Sequence, residues 1–288
     1  MHIEAEAYTS DRAPAPAENA PAENAPAEDA PAASPTLPNS AIERRRMERE
    51  LKQAMQHGRL TLHYQSRHDL ATGAMIAREA HLRWPDRRHG MVPPAQFLPV
   101  AERSELINLI GGWMLAEACA NEACRPDPAT PGPSLSVAVS PRQVQSGALL
   151  TQIGLALDRS GLAPHRLELE LTEPVFIDGD IDTLLTLSAI RDLGIGLSLQ
   201  GFGAGHVSLT MLKRLPLTTL KLHTTLIRDL PQDREDAAIV HATLRTAQAM
   251  DLMVVAEGIE TEAQRAFLCG LQCQQGFGSL FNPQSLRH

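Results

Sequence analysis

The chain has 288 residues, 43% of them apolar, and a formal charge of −8, enough for one sizeable core or two modest ones. That charge excludes a bulk field that would draw in a nucleic acid polymer or anionic lipid, and no run reaches the roughly eighteen apolar residues of a membrane span. Met1 to Ser10 is acidic and has no apolar core, unlike a secretory signal, so the expected location is the cytoplasm.

Residues 1–39 hold seven of the 21 prolines and the near-repeat APAEN, APAEN, APAED between Ala15 and Asp29, with almost no large apolar residue to offset the entropy of ordering. They read as a disordered, Pro/Ala-rich acidic tail. Seven acids against Arg12 give the tail −6, which leaves about −2 of the whole-chain −8 for residues 40–288. The folded domain is expected to open at Ser40-Ala-Ile-Glu43, which has capping-box spacing, with a first helix over 41–57.

Short β-like runs then alternate with helical ones. Strands are predicted at 60–65, 74–82, 135–140, 166–171, 195–200, 218–223 and 252–257, with a weak one before Gln275. Helical stretches are predicted at 142–159, 181–193, 204–214, 233–250 and 260–269. Eight strands separated by helices predict an α/β fold, a closed (β/α)8 barrel of the TIM type. Sites in such barrels gather at the carboxyl ends of the strands, where the polar residues here are Gln65, Glu79, Ser140, Glu170, Gln200, Lys221, Glu257 and Gln275.

Two other features carry no chemistry by themselves. Gly201, Gly203 and Gly205 suggest a phosphate loop, but the third glycine of the dinucleotide fingerprint is replaced by His206, so the fingerprint fails. Cys119 with Cys124 and Cys269 with Cys273 have helical spacing without Cys-x-x-Cys, which reads as reduced thiols rather than a metal knuckle.

The ordered motifs LHYQ (62–65), REAHLRW (78–84), VPPAQFLPVAE (92–102), SVAVSPRQ (136–143), LELELTE (167–173), GFGAGHVSL (201–209), LKL (220–222), VVAEGIETEAQ (254–264) and QGFGSLF (275–281) resemble the EAL domain. That family comprises bacterial phosphodiesterases opening cyclic di-GMP to its linear dinucleotide, and the likeness runs from about residue 43 to residue 283. Two-metal hydrolysis of a phosphodiester needs hard oxygen ligands, with carboxylates shared between ions about 4 Å apart. The resemblance implies metal ligands at Glu79, at a third-strand Asn, at Glu170, at a consecutive Asp pair on the fifth strand and at Glu257, with Lys221 helping to position the water.

This sequence keeps Glu79, Glu170, Glu257 and Lys221 but places Ala138 at the Asn position and Gln200 and Gly201 at the Asp pair. The expectation is therefore a degenerate barrel: a lost Mg²⁺ or Mn²⁺ site, no cofactor, no useful hydrolysis, and Lys221 and Glu79 as vestiges of catalysis. The remaining ligand contacts implied are Gln65, Glu79, Arg83, Glu257 and Gln275, with Arg83 on a phosphate. Blander alternatives stand beside these: Arg83 pairing with Glu102, Gln65 and Gln275 capping strand ends, and Glu79, Glu170 and Lys221 satisfying one another.

His81 replaces the Leu of the naming motif and His223 the Asp after the lysine's strand, which opens space-filling, rim hydrogen bonding or a rebuilt His/Glu transition-metal site. Glu173 resembles the family's loop glutamate that couples the site to a dimer interface, implying a homodimer. The function expected is a noncatalytic cyclic di-GMP receptor acting through a protein partner. The alternatives are a ligand-free protein-binding regulator, for example of flagellar genes, and a residual metal-dependent phosphodiesterase.

Overall fold

The computed structural model describes residues 40–86, 90–125, 134–177, 181–205 and 207–281; the tail predicted at 1–39 lies outside them. Helix α1 (Ala41–Gln56) opens as its sequence predicts. Ser40 Oγ accepts from the Glu43 N–H at 3.1 Å while the Glu43 carboxylate accepts from the Ser40 N–H at 3.1 Å. Strands β1 (Thr61–Asp69), β2 (Met75–Asp86) and β3 (Gly90–Val92) follow, then α2 (Pro94–Glu102) and α3 (Leu106–Ala123).

The remainder alternates: β4 (Leu135–Val139), α4 (Pro141–Gln145), α5 (Leu149–Ser160), β5 (Leu167–Leu171), α6 (Pro174–Ile177), α7 (Ile181–Asp192), β6 (Gly196–Phe202), α8 (Leu209–Leu212), β7 (Thr219–Leu222), α9 (Arg234–Ala249), β8 (Met253–Glu257), α10 (Glu262–Gly270) and β9 (Gln275–Phe277). The strands run β1-β9-β8-β7-β6-β5-β4-β2 and close through the β1–β2 pair, giving an eight-stranded barrel, with β3 paired only to the outer end of β2. Among the described residues no helix is long and apolar enough to cross a membrane.

β1 is antiparallel to both β2 and β9, whereas β2, β4, β5, β6, β7, β8 and β9 run parallel. This corrects the placing of two residues. Gln65 does not close its strand but sits midway along β1 opposite Glu79, and Gln275 begins β9 instead of following it. The stretch 142–159 is broken at Ser146-Gly147, where Gly147 takes φ +68°, and 204–214 holds only the short α8. Ser140 caps α4, its Oγ accepting from the Arg142 N–H.

The parallel strands bury both faces, as helix-covered sheets do. Along β5, Leu167, Leu169 and Leu171 alternate with Glu168 and Glu170, and all five are buried. The leucines pack against the helices and the glutamates point into the barrel. Glu168 accepts from Arg67 Nη1 at 2.8 Å, Ser136 Oγ at 2.8 Å and Thr219 Oγ1 at 2.7 Å, a polar layer joining β1, β4, β5 and β7. Arg67 and Glu168 are essentially inaccessible to water, and the site stands on this layer.

Candidate functional site

One residue pair above that layer, Lys221 of β7 donates from Nζ to Glu79 Oε1 of β2 and to Glu170 Oε1 of β5. All three side chains are buried. Burial works against the ammonium charge, but Glu170, Glu79 and Glu168 outweigh it and raise the Lys221 pKa. Burial, with the Glu170 charge added, pushes the Glu79 carboxyl up to about 7 against the pull of Lys221. Glu257, at the end of β8, is pushed up to about 8 by burial, and its Oε1 has no protein hydrogen-bond partner. Gln275 Oε1 and His81 Nε2 are likewise buried without partners.

The residues around this cluster take their places from strand alternation. His81 lies on the Glu79 face, with Nε2 3.9 Å from Glu79 Oε2, and burial drops its pKa to about 4. Arg83, two residues on, donates to the Leu82 carbonyl at 3.1 Å and forms no ion pair among the described residues; the alternative pairing with Glu102 is absent, although both line one cavity. That cavity, of about 250 Å³, reaches from His81, Arg83, Ala138 and Gln200 to an apolar wall from α2 and α3. His223 caps the turn after β7, its Nδ1 accepting from the Thr225 N–H at 3.3 Å, the rim hydrogen bonding that was one of its expected uses.

Gln200 and Gly201 stand where the β6–β7 register breaks between Leu199 and Phe202, and Gly201 takes φ +75°. Ala138 is the β4 neighbour of Glu170. Glu173 faces the same glycine loop: a Cβ on Gly205 would lie 1.8 Å from its Oε2, and the two share a cavity of about 80 Å³ with Gln200 and Gly203.

A two-metal clamp needs several hard oxygen donors converging on a pair of cations. Glu79 and Glu170 converge on an ammonium, Ala138 and Gly201 offer no side-chain oxygen, and Gln200 offers a neutral one. Among the described residues no three His, Cys, Asp or Glu side chains are grouped so as to hold a metal ion. The residues present do not fit a two-metal centre.

Residues 48–284 match the EAL domain family. The chain belongs to that family. It is 39% identical over 240 residues to the bifunctional diguanylate cyclase/cyclic di-GMP phosphodiesterase MucR of Pseudomonas aeruginosa, covering 83% of this chain and 35% of MucR. It is 36% identical to the cyclic di-GMP phosphodiesterase NbdA of the same organism, covering 84% of this chain and 31% of NbdA. The solved MucR phosphodiesterase in complex with cyclic di-GMP superposes with a TM-score of 0.75 at 38% identity, covering 82% of this chain and 96% of that one. The chain thus spans about a third of the length of these curated relatives.

Within the EAL barrel, the retained Glu79, Glu170, Glu257 and Lys221 come together at one mouth with Gln65, Gln275 and Arg83 beside them, and Glu173 borders the adjoining loop. Gln143 carried no expected role. Its Oε1 accepts from the Ser140 N–H at 3.1 Å while Nε2 stays buried without a partner at the cavity wall. It lies so close to Gly111 of α3 that a Cβ there would meet Nε2 at 1.8 Å. The signal available in sequence was the capping-box spacing of Ser140 and Gln143, which names a helix start and not a cavity.

Proposed function

We propose that this EAL barrel is a noncatalytic receptor for cyclic di-GMP that passes its occupancy to a protein partner. The observation carrying the reading is the composition of the mouth. Arg83 has no carboxylate partner among the described residues and opens on the 250 Å³ cavity, while Ala138, Gln200 and Gly201 occupy the positions where hydrolysis needs hard oxygen ligands.

A guanidinium offers bidentate, permanently charged hydrogen bonds to a phosphate. The apolar wall of α2 and α3 suits a purine face, and the partnerless Gln143 Nε2 and Gln275 Oε1 supply one donor and one acceptor for polar edges. Hydrolysis asks for more: a bridging carboxylate must hold two cations and take the proton from the attacking water. Gln200 and Gly201 can do neither, and each missing effect costs orders of magnitude in rate. The likeness to the MucR phosphodiesterase in its cyclic di-GMP complex supports the ligand class. Readout is assigned to the Glu173 loop, because Glu173 shares a cavity with Gln200 and the glycine segment; a second copy or another protein would dock there.

Arg83→Ala tests the reading. Cyclic di-GMP titrated into the wild-type chain in EDTA is expected to bind, and the variant to lose about 10- to 100-fold in affinity, the worth of a charge-assisted phosphate contact of roughly 1.5–3 kcal/mol. Unchanged affinity in Arg83→Ala, or no binding by the wild type, overturns it; the second outcome leaves the barrel surface to a protein partner alone.

A further inference from the structure

His63 and His81 are direct cross-strand partners in the antiparallel β1–β2 ladder, so their side chains leave the sheet on the same face with Cβ atoms about 4.5–5.5 Å apart. That face is the barrel interior, since Glu79, two residues before His81, reaches Lys221, and Gln65, two residues after His63, stands opposite Glu79. His81 Nε2 is buried and has no hydrogen-bond partner. The nearest acid oxygen is Glu79 Oε2 at 3.9 Å, on a carboxylate whose other oxygen is taken by Lys221. His63 is exposed at the outer end of the same face.

The geometry points to a two-imidazole chelate at the barrel mouth, formed by His63 and His81, for a cation of the Ni²⁺, Cu²⁺ or Zn²⁺ class. Imidazole nitrogen suits these ions and not Mg²⁺, which demands oxygen. Among the described residues no third His, Cys, Asp or Glu completes a ready cluster, so water fills the remaining coordination positions. Arg83, two cross-strand pairs further out opposite Thr61 and on the same face, sets a repulsive charge nearby that lowers the affinity. His81 and Arg83 also line the cavity proposed for the nucleotide, but the metal is titrated without nucleotide, so its outcome does not rest on that reading.

The test is a titration of NiCl₂ into the full chain, followed calorimetrically. Ni²⁺ is preferred to Zn²⁺ because the thiol of Cys124 is exposed. His63→Ala and His81→Leu are each expected to weaken the strongest site at least tenfold, and the double variant by less than the sum of the two losses, because the two rings share one ion. Excess Mg²⁺ should not compete. Metal-free melting curves of each variant separate misfolding from ligand loss, and His223→Ala serves as a rim-histidine control expected to bind as the wild type does. Retention of wild-type Ni²⁺ affinity in His81→Leu, dependence on only one of the two histidines, or an equal loss in His223→Ala overturns the proposal.

Discussion

Glu168 shows what a single buried residue contributes. Its carboxylate loses its hydration on burial, yet Arg67, Lys221 and the hydroxyls of Thr219 and Ser136 hold it ionised and lower its pKa to about 2. A depressed carboxylate stabilises the fold above its unfolded value near 4.5, and that stabilisation is lost as the pH falls through the folded value. Urea unfolding should therefore show the wild type losing stability between about pH 4.5 and 2, with Glu168→Gln flatter across that window. At neutral pH the variant is expected to be about 3–5 kcal/mol less stable, because the buried Arg67 charge loses the carboxylate of its 2.8 Å ion pair. At the mouth, Gly201→Asp is expected to cost about 1–2 kcal/mol in unfolding measurements, since φ +75° there disfavours any Cβ. The acids and Lys221 were legible in the sequence because alternation puts every second residue of a strand inside. Their mutual pairing was not, because Lys221 meets Glu79 across 142 positions and Glu170 across 51.

Elements were read well where period and caps agree. The capping box of α1 and the leucine–glutamate alternation of β5 place those elements within a residue of their sequence limits. Strand direction is not written in a period of two, so the antiparallel β1 escaped, and with it the true depth of Gln65. The run 142–159 keeps helical spacing across Gly147, and only the positive φ there divides it into α4 and α5. The β6–α8 loop makes its own prediction. A Cβ at Gly205 would overlap the Glu173 carboxylate, the tip of a flexible, half-buried side chain that can swing aside at modest cost, so Gly205→Ala should destabilise by no more than about 1 kcal/mol. Glu173→Ala in the same chain should restore most of that loss. A double-mutant cycle by denaturant unfolding checks it, and additive costs would separate Glu173 from the loop.

At the scale of the molecule, the closed barrel follows from eight strands that bury both faces, and family membership follows from motifs spread over residues 48–284. The fold is shared with enzymes; the chemistry is set by which side chains stand at the mouth. Here the mouth holds three acids, a lysine and an arginine, with Gln200 and Gly201 beside them, and the proposed loss of catalysis rests on reading those two as replacements of a bridging Asp pair. The most direct test of a receptor without catalysis is to incubate the protein with cyclic di-GMP and Mg²⁺, then with Mn²⁺, and to resolve the nucleotide by chromatography after binding has been established in EDTA. Bound nucleotide is expected to be recovered intact in every buffer. Linear dinucleotide appearing with either metal would contradict this.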